Sequence, residues 1–222
     1  MATANSNHLP EQRLGNGIAV LGLSLPADAT ARLMAFQAEL LKWNAAYNLT
    51  AVRQPDEMVI RHLLDSLALL PVLDDRMPSA SANLLDVGAG PGLPCIPLAI
   101  ARPAWTVHGL DSNGKKVRFM RHAQRTLALA NFSVIESRVE ELPLDDDGYA
   151  LVTSRAFASL GDFFRQTRHL LRADGVWVAM KGKLEADELA AVPATVDIIE
   201  TRKLQVPGLH EERHAVIARP KK

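Results

Sequence analysis

The stretch from Leu84 to Ala99, LLDVGAGPGLPCIPLA, decides the fold. Leu84 to Val87 reads as a buried strand that runs into Gly88, Gly90 and Gly92, after which Pro94 opens a helix. Glycines at such a junction permit positive φ and let a ligand press against the backbone, while the helix N-terminus offers free amides. The frame here is G-x-G-x-G followed by Leu93-Pro94, so the dinucleotide fingerprint G-x-G-x-x-G fails at its last glycine. A nucleoside with an amino-acid tail suits this loop better than a diphosphate. About 20 residues later Asp111 closes a second strand, where a carboxylate accepts from two ribose hydroxyls. A mere tight turn followed by a helix-capping acid is the competing reading. The order strand, loop, helix, strand, acid favours a cofactor site.

Outward from this core, short apolar strands alternate with helices, the pattern of a parallel sheet covered on both faces. Strands are predicted at Asn83 to Val87, Trp105 to Leu110, Phe132 to Glu136, Tyr149 to Ser154 and Gly175 to Met180. Helices are predicted between them at about Pro94 to Ala101, Asn113 to Leu129 and Leu160 to Leu171. Thr195 to Val206 and His214 to Ala218 have no helix between them and are expected to pair as an antiparallel edge. Upstream, Leu33, Phe36, Leu40 and Trp43 recur at helical spacing after Pro26, and Gln54-Pro55-Asp56-Glu57 looks like a helix start. Val59, Leu63, Leu67 and Leu70 form the stripe of that second helix, with Pro71 marking its end. Met1 to Gly22 is polar and glycine-containing and reads as a loose arm. The expected organisation is a flexible arm (1–25), a helical N-terminal extension (26–80) and a catalytic α/β domain (81–222).

Composition narrows the function. Over 222 residues, 48% are hydrophobic and 23% charged, with 25 basic and 25 acidic side chains giving formal net charge +0. Coating of bare nucleic acid through bulk charge is thereby disfavoured, although a local basic patch is compatible with it. Acidic residues gather at Glu140-Glu141 and Asp145 to Asp147, and basic ones over 115 to 125. The single Cys95 excludes an internal disulfide framework and cysteine-rich metal sites, and no apolar run approaches the roughly 18 residues of a membrane span. A soluble, cytoplasmic monomer without metal is the expectation.

Several longer strings go further: WNAAYNLTAVR (Trp43 to Arg53), RHLLDSL (Arg61 to Leu67), DVGAGPGLPCIPLAI (Asp86 to Ile100), LDSNGKKVRFM (Leu110 to Met120), SRVEEL (Ser137 to Leu142), TSRAFASL (Thr153 to Leu160) and KLQVPGLHEERH (Lys203 to His214). Together they resemble the ribosomal RNA small subunit methyltransferase G family, also called glucose-inhibited division protein B. The resemblance implies a class I, Rossmann-like S-adenosylmethionine-dependent methyltransferase fold and methylation of guanine N7 in 16S ribosomal RNA of the small subunit. By motif position it places cofactor contacts on Gly88, Leu93, Asp111, Ser112, Asn113, Val139, Glu140 and Arg155. Cys95, where the family usually has glycine, and Asn113, where leucine is frequent, depart from its pattern. A methyltransferase for another RNA, a protein or a small molecule, and a non-catalytic nucleotide-binding assembly protein, are the alternatives.

The residues agree with an N7 acceptor. Guanine N7 carries a free lone pair on the major-groove edge, so no base is needed. The segment Thr153-Ser154-Arg155-Ala156-Phe157 lacks the Asn/Asp-Pro-Pro-Tyr/Phe string of enzymes that methylate exocyclic amines. A cytosine C5 enzyme needs a thiolate, and Cys95 falls in the helix after the cofactor loop, where a buried structural role is expected. Arg138 and Arg213 are expected to orient the target base or its phosphate, with Arg155 shared between cofactor and substrate. Lys115, Arg118, Arg121 and Arg125, with Lys116 alongside and Lys181 as an extension, form a basic stripe. That stripe is either a solvated face or a guide for phosphates. Trp43 and Tyr47 either close a core or stack a base.

Overall fold

The computed structural model describes residues 9–77, 83–143, 148–155 and 157–221. The acidic run Asp145 to Asp147 lies outside them. Seven strands form one sheet: β1 (Asn83–Val87), β2 (Thr106–Asp111), β3 (Phe132–Glu136), β4 (Tyr149–Arg155), β5 (Leu171–Lys181), β6 (Val196–Lys203) and β7 (His214–Pro220). Their order is β3-β2-β1-β4-β5-β7-β6. β1 to β5 are mutually parallel, whereas β7 is antiparallel to both β5 and β6. The antiparallel edge is as expected from the missing helix between the last two strands.

That reversal positions the site. Because β7 runs against β5, its first residue His214 pairs with Lys181, the last residue of β5. Arg213 therefore arrives at the end of the sheet where β1, β2, β4 and β5 finish. Open parallel sheets bind ligands at this end.

Alternation along each strand feeds two cores. Leu84 belongs to one apolar cluster and Leu85 and Val87 to the other, as a period of two requires. The first cluster continues without a break into the N-terminal helices α1 (Pro10–Val20), α2 (Ala29–Tyr47), α3 (Pro55–Met58), α4 (Asp65–Leu67) and α5 (Leu70–Arg76). Leu14, Leu33, Phe36, Leu40, Leu63 and Leu67 pack there with Ile96 and Phe119. A wider π-helical stretch, Val59–Leu64, joins α3 to α4. On the other face Trp177 is fully buried, and its indole N–H donates to Thr167 Oγ1 at 2.9 Å. The remaining helices are α6 (Cys95–Ala101), α7 (Gly114–Thr126), α8 (Leu160–Thr167) and α9 (Ala186–Ala190).

Two readings of the sequence are corrected. The supposed flexible arm contains α1, which starts with Pro10 in its first turn and buries Leu14 and Gly17. Gly17 serves close packing: a Cβ there would lie 2.5 Å from the methyl carbons of Leu64. Pro71 does not end a helix. It sits in the first turn of α5, where its missing N–H has no helical partner to lose.

Aromatic residues of α2 close against α7, with Trp43 edge-on to Phe119 at 5.7 Å and stacked near His122 at 4.9 Å. Tyr47 remains 43% exposed at the end of that row.

Candidate functional site

The loop after β1 is built by glycine conformation. Gly88, Gly90 and Gly92 have φ of 70°, 60° and 88°, a region costly for residues bearing a Cβ. Gly88 N and Ala89 N both donate to Leu110 O at 2.9 Å, fastening the loop to the end of β2. Asp111, the next residue, is buried, and its Oδ2 accepts from Gly90 N and its Oδ1 from Asn113 N, each at 2.8 Å. Asn113 then caps α7, its Oδ1 accepting from Lys115 N at 3.0 Å. The asparagine that departs from the family pattern thus has a local structural use.

Gly88 stands between two cavities. One, of about 210 Å³, is lined by Val87, Gly88, Leu110, Asp111, Ser112, Ser137, Arg138, Val139, Glu140 and Phe157. The other, of about 520 Å³, is lined by Asp65, Gly88 to Pro91, Leu93, Lys116, Arg155, Met180 to Gly182 and Arg213. A Cβ on Gly88 would meet no protein atom within 4 Å, so the space above it is free for a ligand. Apolar Val87, Leu110 and Val139 beside a carboxylate suit an adenosine, and the amide-rich glycine loop leading to the second cavity suits an amino-acid tail. The residues present therefore fit a nucleoside with that tail.

Gly92 and Gly88 separate folding from binding. A Cβ on Gly92 would lie 2.3 Å from Ile96 Cδ1, so Gly92→Ala is expected to lose about 3 kcal/mol of stability from strain and overpacking together. Gly88→Ala carries the positive-φ strain alone, about 1–2 kcal/mol, and is expected to lose at least about tenfold in cofactor affinity, since its Cβ meets no protein atom and fills ligand space. Thermal melts beside binding titrations check both. Equal damage to folding from the two substitutions would contradict this division.

The sequence-predicted residues are distributed between the cavities. Asp111, Ser112, Val139 and Glu140 line the smaller, Leu93 and Arg155 the larger, and Gly88 both, whereas Asn113 acts as the α7 cap and lines neither. Arg138 and Arg213, expected to work together, are not brought together. Arg138 precedes the short turn Val139–Glu141 and lines the smaller cavity, while Arg213 lines the other with Arg155. The basic stripe also divides. Lys115, Arg118 and Arg125 are exposed on α7, and Arg121 pairs with Glu136 at 3.0 Å. Lys116 lies one turn before buried Met120, lines the larger cavity and is 4.0 Å from Asp111. Lys181 lines the same cavity and pairs with Glu188 at 2.7 Å rather than extending the stripe.

Two carboxylates were missed as site components. Asp65 is 1% exposed and accepts from Arg213 Nε at 2.9 Å and Arg155 Nη1 at 3.2 Å. The signal in RHLLDSL is an acid set among apolar residues, which requires buried partners. Asp86 is completely buried under the glycine loop; its Oδ2 accepts from Cys95 N at 3.2 Å, and its Oδ1 has no hydrogen-bond partner. Burial pushes the Asp86 carboxyl up to about 7, against the lowering effect of the Cys95 contacts and of Arg155. Cys95 is itself fully buried, and burial followed by the neighbouring Asp86 holds its thiol well above the ordinary range. A thiolate nucleophile is disfavoured there.

Asp86 and His62 oppose each other in acid stability. His62 is buried, with Nδ1 2.9 Å from Arg61 O and Nε2 2.8 Å from Thr50 Oγ1; burial first, then the Arg155 charge, lower its pKa to about 4. Its contribution is complete above the unfolded value of 6.5 and is lost as pH falls toward 4, on the order of 3 kcal/mol. The raised Asp86 carboxyl contributes fully below 3.8, and that contribution is lost as pH rises toward 7. Urea titrations are therefore expected to show Asp86→Asn gaining on the parent chain by about 3 kcal/mol from pH 4 to 7. For His62→Gln the difference runs the other way. A pH-independent difference for either variant would contradict its assigned ionisation.

Comparison with known proteins decides the family. Residues 29–217 match the family model described as rRNA small subunit methyltransferase G. The chain belongs to that family. It is 46% identical to the ribosomal RNA small subunit methyltransferase G of Pseudomonas aeruginosa, covering 99% of both chains. It is 50% identical to that of Chromohalobacter salexigens, covering 89% of this chain and 91% of the relative. A SAM-dependent methyltransferase from Aquifex aeolicus shares the fold, with TM-score 0.52 and 18% identity over 69% of this chain and 92% of that one. Among the described residues no helix is long and apolar enough to cross a membrane, and no group of three or more His, Cys, Asp and Glu could hold a metal ion.

Proposed function

We propose that this methyltransferase G family member transfers a methyl group from S-adenosylmethionine to N7 of a guanine in the 16S ribosomal RNA of the small subunit. The carrying observation is the larger cavity: among the described residues its polar side chains are Asp65, Lys116, Arg155, Lys181 and Arg213, with no His, Cys or Tyr in its lining. Asp65, the one carboxylate there, is taken up by two guanidiniums. An acceptor that must lose a proton finds no free base in this set, whereas N7 has a lone pair ready.

When bound, S-adenosylmethionine would supply an electrophilic methyl whose bonding pair stays with the sulfur as N7 gives its lone pair to the new bond, so no residue here would have to take a proton. Alignment is then the protein's main task. Gly88 to Leu93 and Asp111, with Ser112, Val139 and Glu140, hold and orient the donor in this reading. Arg155 and Arg213 present donors to the acceptor's phosphate or base edge, and Lys116 adds positive charge at the rim. Arg138 is reassigned to the adenosine side on the strength of its neighbours. The exposed Lys115, Arg118 and Arg125 on α7 meet phosphates and set register without reading sequence. We read the chain as a cytoplasmic monomer acting without a metal.

The test is transfer of labelled methyl to small subunits from cells that lack this enzyme. Label in 16S RNA is expected. A chain that binds S-adenosylmethionine yet labels no RNA would overturn the reading and favour a small-molecule or protein acceptor.

A further inference from the structure

The cavity beside the glycine loop is lined by four cations, Lys116, Arg155, Lys181 and Arg213. A sulfonium donor is itself a cation, and methyl transfer only moves that charge onto the acceptor base. Unbalanced, these side chains would repel the donor before the reaction and the methylated base after it. Each has a carboxylate partner within the structure. Lys181 pairs with Glu188 at 2.7 Å, and Lys116 lies 4.0 Å from Asp111. Arg155 and Arg213 share one carboxylate, Asp65.

Asp65 comes from outside the sheet. It opens α4 in the N-terminal helices, is 1% exposed, and meets Arg155 at the end of β4 and Arg213 just before β7. Arg155 Nη1 also donates to Arg61 O at 3.2 Å, and Arg61 pairs with Glu211 at 2.6 Å. The N-terminal helices therefore grip both arginine-bearing segments. A buried carboxylate with two guanidinium partners fixes their direction, and its charge offsets one of the two.

We propose that Asp65 is a positioning residue for methyl transfer, which holds Arg155 and Arg213 on the cavity wall and lowers the positive field there so that a cationic donor is accepted. The inference rests on the donor side of the proposed function and is independent of the acceptor's identity. It also gives the N-terminal helices a part in the chemistry besides packing.

S-adenosylmethionine and its neutral product, S-adenosylhomocysteine, differ at the sulfur by one methyl and one charge, and so report the field. Calorimetric titration of the full chain with each ligand is the test. Asp65→Asn is expected to weaken S-adenosylmethionine on the order of tenfold while changing S-adenosylhomocysteine about twofold or less. Adding Arg213→Gln to Asp65→Asn is expected to restore most of the lost ratio, because it removes an uncompensated cation. Should the asparagine variant fail to fold, Arg213→Gln alone is expected to shift the ratio several-fold toward S-adenosylmethionine. Equal weakening of both ligands by Asp65→Asn, or an unchanged ratio in Arg213→Gln, would overturn the proposal. Loss of all binding to both ligands in the unaltered chain would instead overturn the donor reading itself.

Discussion

Asp111→Ala is expected to raise the dissociation constant of S-adenosylmethionine about a hundredfold, measured by calorimetry. The side chain has two duties that fail together. Its oxygens accept from Gly90 N and Asn113 N at 2.8 Å, so it holds both the glycine loop and the start of α7. A carboxylate has roughly four acceptor positions, and the two left over are available to ribose hydroxyls in the neighbouring cavity. Charge-assisted hydrogen bonds contribute about 1.5–3 kcal/mol each, and loss of one or two of ligand consequence amounts to about 3 kcal/mol. Asp111→Asn retains one acceptor oxygen and is expected to fall between. Binding within about threefold of the parent chain would show that Asp111 only shapes the loop.

Arg213→Ala is expected to slow methyl transfer to the small subunit by roughly a hundredfold, the scale of losing one well-placed electrostatic contact at a reacting centre. Affinity for S-adenosylmethionine should not weaken, because the substitution takes a cation away from a cationic ligand. Single-turnover transfer beside equilibrium binding separates the two quantities. A variant that loses donor affinity and keeps its transfer rate would place Arg213 on the wrong side of the reaction.

The parts of this molecule that were legible in its amino-acid sequence share a cause. β1, the glycine loop and Asp111 are contiguous or nearly so, and their residue types are dictated locally: apolar residues for a strand buried on both faces, glycine for positive φ, an acid at a strand end. The antiparallel edge was readable because no helix separates its strands. What was hidden depends on distant pairing. Asp65 meets Arg155 and Arg213 across 90 and 148 residues, and no local pattern records such a meeting. Arg138 and Arg213 both leave strand ends, but strand order places them in different cavities. Helix α1 was misread because Gly17 suggested looseness, when its absent Cβ makes room for Leu64. Lys116 was grouped with the exposed cations of α7, although its turn of the helix faces the cavity.

The most direct measurement is to locate the methyl group itself. Small subunits lacking the modification, incubated with this chain and S-adenosylmethionine, would be reduced and cleaved chemically at N7-methylated guanines, and the 16S RNA fragments mapped. The expected result is one new cleavage position, at a guanine, present with the active chain and absent with Asp111→Ala. Methyl incorporated at an exocyclic amine or a ring carbon, or no incorporation by a chain shown to bind the donor, would contradict the account.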